Sequence, residues 1–77
     1  MPTVFKDKGF RFFFYSNEHF PKHIHVSGKN FEVKIELDSL RLIYNSGMKK
    51  NDLKKVLKIV EQNRFLFLRK WDEFFNE

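Results

Sequence analysis

The chain has 77 residues, including 11 phenylalanines, one tryptophan and no cysteine, and its formal net charge is +5. One domain of this size buries only about 60–65% of its unfolded surface, so aromatic side chains must supply much of the core. The absence of cysteine excludes disulfides and thiolate zinc sites, and the positive charge favours an acidic protein or a polyanion as partner.

The N-terminal region has no basic segment followed by an apolar run, so we read no signal peptide. The apolar stretches are far shorter than the roughly 20 residues that a membrane-spanning helix requires. We therefore expect one soluble, cytoplasmic domain over residues 1–77 that does not enter a membrane.

Two strands are predicted at the beginning of the chain, over residues 3–6 and 9–16. Asp7, Lys8 and Gly9 would join them as a three-residue connection with the glycine in the left-handed position. Alternation then places Phe12 and Phe13 on opposite faces. Because both faces carry aromatic side chains, the second strand should be central or covered on both sides.

The clearest hairpin joins residues 23–27 to residues 31–37, which both alternate between polar and apolar side chains. A two-residue type II′ turn at Gly28-Lys29 would set Val26 opposite Phe31 and His25 opposite Glu32. A slip of one residue would pair apolar with charged side chains, so alternation specifies the face that each residue occupies.

After a short edge strand within residues 39–44, the hydrophobic period changes near Gly47 from that of a strand to that of a helix. A helix over residues 49–75 would be roughly 37 Å long. That exceeds what the sheet needs, so we expect a bend near Asn63 or an exposed end that pairs with another chain. The predicted class is α+β: an antiparallel sheet of four to five strands within residues 3–44, covered by a long C-terminal helix.

A pair of histidines is the strongest candidate for chemistry. His23 and His25 project from one face of their strand, and Glu32 lies across the hairpin, with Glu18 as a further contributor from the preceding connection. His23, His25 and Glu32 could bind a divalent metal, or the imidazoles could act as acid and base. The alternative is a structural pairing of histidine with carboxylate on a polar strand face.

Two other features could bind partners. Lysines at the start of the helix form a basic ridge that could contact nucleic acid or an acidic protein, or could simply be solvated. They are Lys49, Lys50, Lys54, Lys55 and Lys58. Trp71, Phe74 and Phe75 crowd the last helical turns, where exposed aromatic rings would anchor a partner or a second copy of the chain.

The sequence resembles a family of short bacterial proteins known as the domain of unknown function numbered four-one-six-zero. The resemblance covers nearly the whole chain. It rests on Gly9, residues 11–18 (RFFFYSNE), residues 21–26 (PKHIHV), Gly47, residues 59–63 (IVEQN) and Trp71.

The resemblance implies an intracellular protein, and many family members are encoded beside another small protein in pairs assigned to toxin–antitoxin modules. Lys22 stands where the family usually has a second proline, and Lys49 stands where a serine or threonine cap is usual. The matched polar positions are Glu18, His23 and His25, to which the family attaches no catalytic role.

Together these features favour a non-enzymatic interaction module, one component of a toxin–antitoxin-type pair that binds a small cognate protein. One alternative is a small RNA-cleaving or metal-dependent enzyme that uses His23 and His25. Another is an accessory domain that binds nucleic acid through the lysines. A homodimer and a bound divalent metal are further hypotheses.

Overall fold

The computed structural model describes residues 3–76, which form a five-stranded antiparallel sheet followed by two helices. Each strand pairs with the next one in the chain, so the strand order across the sheet is the order in sequence. The α+β class is confirmed. The elements are β1 (Thr3–Asp7), β2 (Phe10–Phe13), β3 (His23–Ser27), β4 (Glu32–Glu36), β5 (Leu42–Asn45), α1 (Lys50–Gln62) and α2 (Arg64–Phe75).

The first hairpin is tighter than predicted. Asp7 pairs with Phe10, which leaves Lys8 and Gly9 as a two-residue turn. Both have positive φ angles, 52° and 84°. Two successive positive φ values give a hairpin turn the twist that matches its strands. The three-residue connection predicted from Asp7 to Gly9 is therefore wrong, although Gly9 does adopt the left-handed conformation.

The second hairpin has a register two residues away from the prediction. Val26 pairs with Val33 and His25 pairs with Lys34. Residues 28–31 form the loop, and the Gly28 N–H donates to the Phe31 carbonyl at 3.2 Å. The predicted type II′ turn at Gly28-Lys29 is wrong, because Ser27 pairs with Glu32 and four residues separate the strands. The Phe31 ring lies over Gly28, where any Cβ would collide with it. A shift of two residues preserves the faces of the strands.

The helical segment divides at Asn63, so the predicted single long helix is instead α1 and α2 with a break where a bend was expected. The Asn63 side-chain amide donates to the Ile59 carbonyl at 2.8 Å, a local bond that competes with helix continuation. The apolar side chains that recur at helical spacing face inward. Those that are fully buried include Val56, Val60, Phe67 and Trp71.

Both faces of the sheet are covered, as the aromatic pattern of β2 indicated. Phe12, Ile24 and Val33 belong to the hydrophobic core that also contains the buried residues of α1 and α2. On the opposite face, Phe13 and the histidines of β3 are also buried. Residues 14–22, called here the β2–β3 connection, contribute side chains and a backbone carbonyl that contact the histidines. His23 and His25 therefore lie on a covered face of the sheet and not on an exposed polar face.

Candidate functional site: a buried histidine–carboxylate cluster

Strand β3 carries the two imidazoles of the site. Because side chains alternate along a strand, His23 and His25 project to the face opposite Ile24 and Val26. His23 is 2% exposed and His25 is 7% exposed. The centroids of the two rings lie 5.0 Å apart, so the two rings are close neighbours inside the protein.

Glu18 contacts both rings from the β2–β3 connection. Its Oε1 lies 2.9 Å from Nε2 of His23, and its Oε2 lies 2.8 Å from Nε2 of His25. The Tyr15 backbone N–H also donates to Oε2 at 3.1 Å, a bond across three residues that turns the chain back toward the sheet. The Glu18 side chain is only 8% exposed. Its carboxylate therefore bridges both imidazoles in a largely dehydrated setting.

The other ring nitrogens have acceptors of their own. Nδ1 of His23 lies 2.7 Å from the Pro21 carbonyl, and Nδ1 of His25 lies 3.1 Å from Oε2 of Glu32. The Tyr15 hydroxyl donates to Oε1 of Glu32 at 2.8 Å. These residues form what we call the histidine–carboxylate cluster: Tyr15, Glu18, His23, His25 and Glu32.

The surroundings of the cluster shift the pKa values of His25 and Tyr15. Burial lowers the pKa of His25, and the nearby His23 ring acts in the same direction, whereas Glu18 and Glu32 oppose the shift. The hydrogen bond to Glu32 raises the pKa of Tyr15, with burial and the two carboxylates contributing. Burial thus favours neutral His25, the form of imidazole that binds metals.

The structure brings together the four candidate residues predicted from sequence, with their roles rearranged. Glu18, treated as a secondary contributor, bridges the two rings, whereas Glu32 contacts only His25. Glu36 pairs with His23 in the register, but its carboxylate accepts from the Ser39 hydroxyl at 2.7 Å.

Sequence reasoning missed two groups that contact the predicted site residues, Tyr15 and the Pro21 carbonyl. Alternation places Tyr15 on the same face as Phe13, next to the strand that carries His25. The Pro21 carbonyl left no signal in the side-chain pattern because it is a backbone group. His19 also lies on the β2–β3 connection, next to Glu18 in the chain, but it is exposed and is not part of the cluster.

The predicted basic ridge is present on α1 and at its N-cap. All five of its lysines are exposed, and none makes an ion pair with any residue between positions 3 and 76. We call this set the lysine face: Lys49, Lys50, Lys54, Lys55 and Lys58. Lys49 makes no side-chain capping bond, as its departure from the usual serine or threonine implied.

The aromatic end of α2 is only partly exposed. Trp71 is fully buried, with its ring centroid 5.5 Å from Phe14 and 5.1 Å from His23. The expectation of Trp71 as an exposed anchor is therefore wrong, because the break at Asn63 redirects α2 onto the sheet. Phe74 is 43% exposed and Phe75 is half-buried. Self-association through these two rings stays a prediction.

The chain is a small α+β protein in which a five-stranded meander carries buried histidines beneath the β2–β3 connection. The chain belongs to the family described as Domain of unknown function (DUF4160), whose model matches residues 9–72. No curated protein and no solved structure matches the chain. Neither helix within residues 3–76 is long and apolar enough to cross a membrane.

Proposed function

We propose that this protein is a non-enzymatic interaction module, one component of a bacterial toxin–antitoxin-type pair. In this proposal the lysine face of α1 binds an acidic segment of the cognate small protein. The family resemblance implies a neighbouring gene for another small protein, which indicates the class of partner. The distribution of charge along the chain indicates which surface binds it.

The observation that carries the proposal is the concentration of charge at the start of α1. Residues 49–58 contain five lysines and one aspartate, a net charge of +4, whereas the whole chain has a net charge of +5. Two of the lysines outside this segment are paired with carboxylates, in Lys22–Asp72 and Lys70–Glu73. A concentrated, unneutralised charge attracts an acidic surface and increases the rate of encounter.

The neighbouring surface favours a protein segment over a nucleic acid. Leu40 and Leu57 lie beside Lys54, Lys58 and Glu61 and line a shallow groove with them. Phosphate groups have no apolar surface to place against the two leucines, whereas an acidic peptide can offer both carboxylates and aliphatic side chains. Glu61 would also repel phosphate.

The test is a binding measurement with the purified product of the adjacent open reading frame. We expect a stable complex by light scattering, with an association rate that falls as salt increases. The double variant Lys54→Gln/Lys58→Gln should weaken the affinity by about tenfold, roughly 0.7 kcal/mol per charge, mainly through slower association. The matched control is Lys6→Gln/Lys29→Gln, which removes the same charge from exposed positions outside α1.

A chain that remains monomeric and indifferent to the adjacent gene product would contradict the proposal, as would equal losses of affinity in the two double variants. RNA or DNA fragments should be titrated in parallel. Salt-dependent binding of nucleic acid that weakens in Lys54→Gln/Lys58→Gln, without binding of the protein partner, would replace this proposal with the accessory-domain alternative.

The second candidate, an RNA-cleaving or metal-dependent enzyme, draws support from the convergence of His23, His25 and Glu18. Burial counts against direct contact with a large substrate, because the two histidines are 2% and 7% exposed. A general acid or base must come within hydrogen-bond reach of the reacting group. RNA cleavage that is abolished by His25→Ala, with the fold intact, would favour this enzyme over the interaction module.

A further inference from the structure

We propose that the carboxylate of Glu18 and the Nε2 atoms of His23 and His25 bind one divalent cation of the zinc class. The cation would fix the β2–β3 connection against the sheet. This inference is independent of the lysine face, and it assigns Glu18 the role of ligand that sequence reasoning gave to Glu32.

The hydrogen bond at Nδ1 of each ring determines the tautomer and therefore whether Nε2 carries a hydrogen or a lone pair. The Pro21 carbonyl can only accept, so Nδ1 of His23 carries a hydrogen and donates it at 2.7 Å. A carboxylate is likewise an acceptor, so Nδ1 of His25 donates to Glu32. In neutral imidazoles both Nε2 atoms then carry lone pairs, and both lone pairs face the Glu18 carboxylate.

Two lone pairs beside a buried carboxylate require a positive charge among them. Nε2 of His25 lies 2.8 Å from Oε2 of Glu18, yet it is not aligned for a hydrogen bond and has no hydrogen-bond partner among residues 3–76. The His25 side chain is 9% exposed, so water compensates little. Protonating His23 alone would let its Nε2 donate to Oε1 of Glu18 at 2.9 Å, but it would leave the Nε2 lone pair of His25 beside Oε2 of the same carboxylate. Protonating both rings would place two cations at a centroid separation of 5.0 Å, where they repel each other. A single divalent cation satisfies all three groups.

The distances suit such an ion. Ligand atoms from Glu18, His23 and His25 all lie within 4.8 Å of one another. Nitrogen and oxygen ligands about 2.1 Å from a tetrahedral zinc ion are roughly 3.4 Å apart. The observed contacts of 2.8–2.9 Å would therefore open by only about half an ångström.

The surrounding groups match what metal-bound histidines require. Such histidines almost always donate their second ring N–H to a carboxylate or a backbone carbonyl, which fixes the tautomer and the orientation of the ring. Glu32 and Pro21 are these acceptors, and the Tyr15 hydroxyl holds Glu32 at 2.8 Å. Two imidazoles and a carboxylate suit zinc, and the same set is used for ferrous iron.

The experiment uses the full, untagged chain after removal of metals by chelation. Titration with Zn²⁺ should show one equivalent bound and an increase in the thermal midpoint, and Co²⁺ should give the visible absorption of a four-coordinate or five-coordinate site. Glu18→Gln should reduce zinc affinity by more than about 100-fold, and Glu32→Gln by about 10- to 100-fold. The control is His19→Gln, an exposed histidine next to Glu18 in the chain, which should bind zinc like the unmodified protein.

Glu18→Gln preserves the shape of the side chain, and near-ultraviolet circular dichroism of the metal-free variant checks its fold. Its amide can donate to one Nε2 lone pair, so the metal-free variant should melt at or above the temperature of the metal-free parent. The inference is overturned if the folded parent binds no zinc, if binding survives Glu18→Gln, or if binding is lost in His19→Gln. Binding of the adjacent gene product is measured separately from zinc binding. The Lys54→Gln/Lys58→Gln variant should retain full zinc affinity, so failure of one proposal can be told from failure of the other.

Discussion

The two faces of the sheet are buried in different ways. One face is covered by α1 and α2 and is apolar throughout, with Phe12 and Phe67 packed 5.6 Å apart between ring centroids. The other face is covered mainly by the β2–β3 connection, with Trp71 of α2 beside His23. It mixes Phe13 with two histidines, whose ring nitrogens lie next to carboxylates and a backbone carbonyl. Burial of apolar surface is non-directional, whereas buried polar groups must be satisfied one by one.

This difference implies that the helix-covered face supplies most of the stability, and that the connection-covered face supplies specificity of structure. Deleting a ring from the first face leaves a cavity that close-packed neighbours fill only in part. Deleting a polar group from the connection-covered face removes a hydrogen bond and leaves its former partner unpaired, at a cost of about 1–3 kcal/mol.

The largest effect should come from Phe67→Ala on α2. Phe67 is fully buried, and its ring centroid lies 5.6–5.8 Å from those of Phe5 and Phe12. We expect a loss of about 3–5 kcal/mol. That is a large fraction of the 4–12 kcal/mol or so available to a chain of this length. Urea unfolding, followed by the fluorescence of the buried Trp71, measures the change.

The control for Phe67→Ala lies two residues away on the same helix. Phe65 is 81% exposed, so Phe65→Ala should change the free energy of unfolding by no more than about 0.5 kcal/mol. A similar loss in both variants would mean that α2 does not pack on the sheet as described.

An intermediate effect is expected for Phe13→Ala, on the connection-covered face. The ring is 2% exposed and contacts Tyr15, His25 and the Arg11 guanidinium, which lies 4.2 Å from its centroid. These long or polar side chains can move partly into the space, so we expect a loss of about 2–3 kcal/mol. The adjacent Phe12→Ala, on the helix-covered face, should cost about 3–5 kcal/mol. Urea unfolding that ranks Phe13→Ala above Phe12→Ala would reverse the assignment of the two faces.

The smallest effect is expected for Tyr15→Phe, which removes only the hydroxyl that donates to Glu32 at 2.8 Å. The expected loss is about 1–2 kcal/mol, toward the lower end for a hydrogen bond to a charged group because Glu32 is partly exposed to water. Tyr44 is 54% exposed, and Tyr44→Phe should therefore have no measurable effect. If chemical denaturation finds the two tyrosine variants equal, the bond between Tyr15 and Glu32 contributes nothing to stability.

Much of the architecture was predictable because it depends on local patterns. The bounds of β3, the beginning of α1 near Lys50 and the end of α2 at Phe75 follow from alternation and helical spacing. The loop of the second hairpin was not predictable in this way. Its length depends on the ring of Phe31 packing over Gly28 and against Phe10, a contact between different hairpins.

The candidate site was likewise predictable only where it depends on local patterns. By itself, the sequence determined that His23 and His25 share a face and that Glu32 lies on the same side, because side chains alternate along each strand and a register shift of two residues leaves every side chain on its face. Only the tertiary structure decided that Glu18 reaches both rings, that the histidine face is covered, and that Trp71 is buried. Those outcomes depend on the path of an irregular connection and on the direction of α2 after Asn63, which are set by packing between distant segments.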